Sequence, residues 1–339
     1  CGGIGLAYLS ARHVVLGTVA DLPNVVLSRL TDGQRLLTML GVVPEWARLL
    51  LWPAQLAADY SPPRIPLILA PTPAAVAGVV ILGGAVMLAV AGWRLRERVP
   101  AFGVLWFAVT IFPVSNVLLL SGVLLAERTL FLPSIGAMLA LGPLWAWVGT
   151  RLANVRHVSR PAAVAAAVAT LAIVLVLGVA KSASRSRVWR SADTFYAQIV
   201  EDAPLSYRAH HVHGAWLFTK GRRVEGEKHL RMAIAMFPDD AGPYTDLADH
   251  YRHAGLCAPA RDLYRRAIAL GRLRDRARMG LVVCLLRDAH YAEAAAQARL
   301  GASGGGFQVE QFRRFAAIAD SAGATASSIR QAGTARRAQ

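Results

Sequence analysis

Four stretches of this chain contain no Asp, Glu, Lys or Arg: Ala74–Trp93, Ala101–Ala126, Thr129–Thr150 and Pro161–Ala180. Each reaches the roughly 20 residues that a helix needs to cross about 30 Å of hydrocarbon. A helix satisfies its own backbone hydrogen bonds, so it is the form such a segment takes in lipid. The pattern predicts a membrane domain over 73–180 with four spans, about 74–93, 101–123, 129–150 and 161–180. A mean hydropathy of +0.40 agrees with a chain that is part membrane and part water-exposed.

Residues 1–72 are amphipathic rather than plainly spanning. Asp32–Leu56 reads as helix interrupted at Pro44 and Pro53, and its charges Arg35, Glu45 and Arg48 favour an interfacial or re-entrant segment. Pro62, Pro63 and Pro66 make Ala58–Leu67 an extended loop. The first residue is Cys1, and no basic stretch precedes an apolar run, so the chain reads as a fragment without a visible signal peptide. Three cysteines are too few and too scattered for a disulfide framework or a zinc site.

The loops Arg94–Arg98 and Arg151–Arg160 are both basic, and alternation of the spans puts them on one side. The positive-inside rule makes that side cytoplasmic, which leaves the loop around 121–128 and everything after residue 180 extracytoplasmic. Lys181, Arg185, Arg187 and Arg190 oppose that assignment. From 181 onward 25 Lys and Arg face 15 Asp and Glu, a net +10. These residues are spread along helices without interleaved aromatics, so no nucleic-acid partner is expected; the charge reads first as a solvated basic face, with attraction to the headgroups of membrane lipid as the alternative.

Residues 181–206 read as a linker and a first helix. Beyond them lies a 34-residue period. With Tyr207, Ala241 and Asp275 at position one, Gly214, Ala248 and Val282 stand at position eight, Gly226, Ala260 and Ala294 at twenty, and Ala233, Ala267 and Gly301 at twenty-seven. Leu217, Tyr251 and Leu285 stand at eleven. Small residues at fixed positions are what paired helices need for close approach, and the pattern looks like the tetratricopeptide repeat. The units are 207–240, 241–274 and 275–304, within a repeat domain of 207–306 that ends in "GASGGG". A terminal helix over 307–320 and a disordered tail over 321–339 follow. The fold class is all-α: a multi-spanning helical membrane domain followed by a tetratricopeptide-repeat α-solenoid.

Ionisable and polar groups near the spans are the candidate site. Glu127 and Arg128 stand between two spans, where charge is costly unless paired, hydrated or functional. Either they form a mutual ion pair at the interface, or Arg128 meets an anionic phosphate while Glu127 positions it or a substrate hydroxyl. Arginine suits phosphate because its planar fork donates several hydrogen bonds. In "FPVSN", Pro113 breaks the helix, and Ser115 and Asn116 either satisfy freed backbone groups or face a polar cavity. Asp59 is a turn residue or a site residue in a loop that also carries Tyr60 and Arg64. His210, His211 and His213 have no carboxylate or cysteine at ligand spacing, so no metal is expected.

"LLLWPAQLAADYSPPRIPL" at 49–67, "FPVSN" followed by "AERTLFLPSIG" at 126–136, and C-terminal repeats occur in one order. This combination resembles the transmembrane and tetratricopeptide-repeat-containing O-mannosyltransferase family and its bacterial relatives, with Phe131 where the family usually has Tyr. The resemblance implies an integral membrane glycosyltransferase of the C superfamily in a bacterial inner membrane. Such an enzyme moves a mannose-like sugar from a polyprenyl phosphate donor to a protein hydroxyl on the extracytoplasmic side, where the repeats bind an acceptor protein or peptide. The donor is a substrate, and no cofactor is implied. The presumed catalytic acid of the superfamily would lie upstream of Cys1, so this chain matches a C-terminal half that is inactive alone. The alternatives are a non-catalytic membrane-anchored repeat scaffold and an oligosaccharide ligase or polymerase.

Overall fold

The computed structural model describes residues 10, 25–117, 120–155, 159–271, 274–304 and 308–337. Expectations for most of 1–24, for the middle of the 151–160 loop and for Gly305–Phe307 lie outside the described residues. Among the described residues the regular structure is helical, with no strand. The chain divides into two compact units, with the boundary in sequence between Ser206 and Tyr207.

The first unit opens with α1, Asp32–Leu51. A capping box starts it: Thr31 Oγ1 accepts from the Gln34 amide at 3.3 Å, and Gln34 Oε1 accepts from the Thr31 amide at 3.1 Å. Pro44 does not interrupt α1, contrary to the expectation. Proline removes one donor, which frees the carbonyl of Leu40. That carbonyl faces Gly78 of α2, Pro73–Arg94, so closely that a Cβ there would lie 2.0 Å from it. The helix ends at Leu51, one residue short of Trp52-Pro53, because the residue before proline disfavours helical backbone.

Next come α3, Arg98–Ile111, α4, Phe131–Val155, and α5, Arg160–Ser186. Helices α3 and α4 meet backbone to backbone at Gly103 and Gly136, where a Cβ on either would lie within 2.6 Å of the other's carbonyl oxygen. Small residues at such a crossing are the usual means of close helix approach in lipid. Leu171, Val174, Leu175, Leu177 and Val179 leave α5 apolar and exposed around its circumference, as on a lipid-facing helix.

Among the described residues, three helices are long and apolar enough to cross a membrane: Pro73–Arg94, Glu127–Arg151 and Pro161–Arg190. The protein is a membrane protein. The expected second span is different. Its helix stops at Ile111, a 3₁₀ turn over Phe112–Val114 follows, and Asn116 takes a left-handed φ of 56°. The rest of that uncharged stretch, as far as Ala126, is loop where it is described. Pro113 at the turn and asparagine's tolerance of positive φ account for the ending. A short helix, α6, Ala192–Asp202, closes the unit.

The second unit is a row of helical hairpins. Helices α7, Tyr207–Thr219, and α8, Arg223–Met236, form the first. The second is α9, Ala241–His253, with α10, Cys257–Ala269; the third is α11, Arg274–Arg287, with α12, Tyr291–Ser303. Ala248, Ala260, Ala267, Leu285 and Ala294 of the periodic positions are fully buried. Gly301–Ser303 of "GASGGG" complete α12, since Gly301 packs against Phe312, whose ring a Cβ would meet at 2.5 Å.

The last helix, α13, runs Val309–Arg337, so residues 321–337 are helical where disorder was expected. Phe312, Ala316 and Ala319 are buried at its start, and the alanine-rich remainder propagates the helix with little entropic cost.

Each hairpin turns through one left-handed residue. Gly221 and Gly255 take φ of 74° and 83°, and Ala289, at the same repeat position, takes 60°. Alanine in that region carries a Cβ clash that glycine lacks. Ala289→Gly is expected to stabilise the repeat unit by about 1 kcal/mol, read as a higher Tm for the full chain.

His229 of α8 lies against His210, whose Nδ1 is 2.9 Å from its own, and edge-on to His213. Burial, then the neighbouring His213, His210 and Lys228, lower its pKa to about 4, against a weaker opposing pull from Glu225. The folded state therefore holds a neutral ring, while the unfolded chain takes up a proton below about pH 6.5. Stability from this ring is full above that pH and falls as pH drops toward 4. Discounted for partial exposure, roughly 1 kcal/mol should be lost between pH 7 and 5, and His229→Leu should flatten the Tm profile over that interval.

Candidate functional site

Four of the candidate residues, Asp59, Tyr60, Arg64 and Glu127, are joined through contacts that span long stretches of sequence, whereas Ser115 and Asn116 bond within their own loop. Glu127 and Arg128 occupy consecutive positions of the 3₁₀ turn that leads into α4. Neighbours in such a turn point about 120° apart. Glu127 turns inward, where Oε1 accepts from the Ala57 amide at 2.6 Å and from the Tyr60 hydroxyl at 2.7 Å. Arg128 turns outward and is exposed, and it has no carboxylate partner among the described residues. The mutual ion pair is therefore not formed.

Tyr60 is only 1% exposed. Burial, then the hydrogen bond to the Glu127 carboxylate, push its hydroxyl pKa well above the ordinary value, so it remains a donor. The Arg64 guanidinium lies 4.6 Å from the centre of the Tyr60 ring, a cation–π contact, and donates to the Asp202 carbonyl at 2.6 Å. Asp59 Oδ1 accepts from the Ser61 amide at 2.8 Å, closing a turn, and from Ser206 Oγ at 2.6 Å. Arg64 also donates its amide to the Leu205 carbonyl at 3.1 Å. The proline-rich loop is thus fastened to Glu127 on one side and to the segment after α6 on the other.

Asn116 and Ser115 close the break after α3. Asn116 is fully buried; it donates to the Val123 carbonyl at 3.0 Å and accepts from the Ser121 amide at 2.6 Å and hydroxyl at 2.8 Å. Ser115 Oγ donates to the Phe112 carbonyl at 2.7 Å. Their polar atoms are engaged within the loop.

Lys181 and Arg185 belong beside these residues and were read only as charge after a span. Four apart on a helix, they share a face, which is the signal that could have found them. Lys181 Nζ donates to the Ala54 carbonyl at 2.8 Å, and Arg185 pairs with Asp202. Gln198 donates to the other Asp202 oxygen at 3.1 Å. Together with Glu45, Arg64 and Glu201 these residues line an open cleft of about 750 Å³. Its cations and carboxylates balance, so it offers donors and acceptors without a strong net charge.

In the repeat unit, charges cross the first helices of successive hairpins. His211 lies 2.7 Å from Asp246, and Arg276 bonds both Asp246 and Asp249 at 2.7 Å. Among the described residues no group of three or more His, Cys, Asp or Glu is arranged to hold a metal.

Two curated proteins match this chain. Protein O-mannosyl-transferase TMTC1 of Homo sapiens is 26% identical over 158 residues, 45% of this chain and 17% of that protein. Its Mus musculus counterpart is 25% identical over 158 residues, 45% of this chain and 16% of that protein. Part of the chain is similar to protein O-mannosyltransferases. It spans about a sixth of the length of these relatives. No family model matches. A solved structure described as a functional characterization of Pseudomonas aeruginosa pilF aligns at a TM-score of 0.32 and 20% identity, over 38% of this chain and 64% of that one.

Tyr60→Phe removes one donor from a carboxylate held at the loop. The loss is expected to cost about 1–3 kcal/mol and to speed proteolytic cleavage within 52–68. Glu127→Gln should give the same phenotype, and limited proteolysis with mass mapping checks both.

Proposed function

We propose that this chain is the C-terminal part of an integral membrane glycosyltransferase. It belongs on this reading to a bacterial inner membrane, with its repeats extracytoplasmic, and moves a mannose-like sugar from a polyprenyl phosphate to a protein hydroxyl. The carrying observation is the division of labour at the 3₁₀ turn: Glu127 is committed to Ala57 and Tyr60, and Arg128 is left exposed beside it. A guanidinium with its fork unoccupied suits a phosphate. The partial similarity to protein O-mannosyltransferases supports the same chemistry.

In this reading the acceptor oxygen attacks the anomeric carbon, the bond from that carbon to the phosphate oxygen breaks, and the lipid phosphate departs with the electron pair. Arg128 stabilises the charge gathering on that phosphate. No residue of this chain is assigned the base that takes the acceptor's proton. Arg64 is already spent on Tyr60 and Asp202, so its role is to hold the loop. The balanced cleft near Lys181 and Glu201 suits the uncharged hydroxyls of a sugar. The repeat unit, with its charged first helices, would bind the acceptor protein.

In the full-length enzyme, Arg128→Ala is expected to lower transfer from a radiolabelled polyprenyl phosphate sugar roughly 100-fold, with Arg128→Lys intermediate and the amount of folded protein unchanged. Equal activity per folded molecule would remove the phosphate role.

A further inference from the structure

The cleft beside Lys181 and Arg185 lies where the apolar part of α5 ends. Val174, Leu177, Lys181 and Ser184 recur at spacings of three and four along α5, which puts them on one face, and Arg185 follows Lys181 by four. Val174 and Leu177 are 59% and 63% exposed, while Lys181, Ser184 and Arg185 line the cleft. One helical face therefore changes from bare hydrocarbon to polar cleft within about a turn. An amphiphile matches that change, with its tail along the apolar turns and its head in the cleft.

The groups left over in the cleft define the head. Asp202 is already engaged: its carboxylate pairs with Arg185 and accepts from Gln198, and its carbonyl accepts from Arg64. Glu45 is engaged by Arg48. Lys181 makes one hydrogen bond, to the Ala54 carbonyl, although an ammonium has three donors. Arg185 reaches Asp202 through Nη1, which leaves Nε and Nη2 to donate elsewhere. On α6, the Glu201 carboxylate and the side-chain oxygen of Gln198 have no partner among the described residues. The lining cations Arg64, Lys181 and Arg185 match the lining carboxylates Glu45, Glu201 and Asp202 in number, and Arg48, held by Glu45, leaves one positive charge over. One phosphate diester neutralises that charge. The free acceptors on α6 need donors that add no further charge, and hydroxyl groups supply them.

We propose that this cleft binds the headgroup of a lipid phosphate diester that carries hydroxyl groups. Lys181 and Arg185 hold the phosphate, Glu201 and Gln198 accept from the hydroxyls, and the hydrocarbon lies on the face of Val174 and Leu177. Two lipids have this chemistry: a membrane phospholipid with a polyol head, such as phosphatidylglycerol, and a polyprenyl phosphate sugar. A volume of about 750 Å³ admits either head.

The test is native mass spectrometry of the full chain in detergent micelles, titrated with phosphatidylglycerol, with polyprenyl phosphate mannose and with phosphatidylmethanol. The last has the same diester and charge but no hydroxyl. The expected result is one hydroxylated lipid per chain, held about tenfold tighter than phosphatidylmethanol. Glu201→Ala should remove that difference, and Lys181→Met should weaken all three lipids about tenfold. Lys181 gives up one hydrogen bond and Glu201 none, so both variants are expected to fold, which a Tm close to the parent's checks. Polyprenyl phosphate mannose that displaces phosphatidylglycerol at equal concentration identifies the sugar lipid as the source of the head, and no displacement identifies the membrane phospholipid. Equal affinity for phosphatidylmethanol and both hydroxylated lipids overturns the proposal, as does a preference that survives Glu201→Ala. Neither arm measures transfer, so failure here is distinct from failure of Arg128→Ala to lower it.

Discussion

A carboxylate at the edge of an apolar bundle needs donors, and the rest of the polar end is arranged around supplying them to Glu127. Its two partners, the Ala57 amide and the Tyr60 hydroxyl, come from a loop some 70 residues earlier in the chain. That loop cannot be helix, because prolines at 62, 63 and 66 deny it the backbone geometry and the donors. It cannot hold its own shape either, since an extended segment makes few internal hydrogen bonds. Glu127 fixes one side of it, Asp59 and Arg64 fix the other, and Tyr60 is driven into the interior between them.

The same contacts decide what the end of the bundle can offer a ligand. Asp59, Tyr60, Arg64, Ser115, Asn116 and Glu127 each have at least one side-chain polar atom hydrogen-bonded within the first unit. Arg128 has no such engagement among the described residues and is carried on a turn whose neighbour is anchored. A charged group on a fixed backbone costs little reorganisation when a phosphate arrives, which is the condition under which electrostatic stabilisation works best.

Composition made the membrane helices legible, because absence of charge over about 20 residues has few other causes. It misread the second stretch for the same reason. Nothing in hydropathy distinguishes a helix from an apolar loop, and the ending depends on Pro113 and on the buried hydrogen bonds of Asn116. The repeats were legible from small residues at fixed spacing. The helical tail was not, since an alanine-rich stretch without apolar periodicity looks alike in sequence whether helical or disordered. Within the site, Asp59, Glu127 and Arg128 stood out by residue type. The choice between ion pair and free arginine needed the 67-residue link to Tyr60, which no local pattern encodes.

The link also bears on why the two residues are adjacent. If Glu127 and Arg128 neutralised each other, the turn would present a dipole and the loop would lose its anchor. Splitting their tasks lets one carboxylate anchor its side of the loop and leaves the neighbouring charge uncompensated. An uncompensated cation near hydrocarbon is unfavourable by several kcal/mol unless water or an anion reaches it. The fold meets that condition by placing the turn at the head of α4, where the apolar helix begins, and by leaving the arginine exposed. An anionic group at that level would therefore gain more from Arg128 than the same group would in bulk water, because attraction strengthens as the surroundings become less polar.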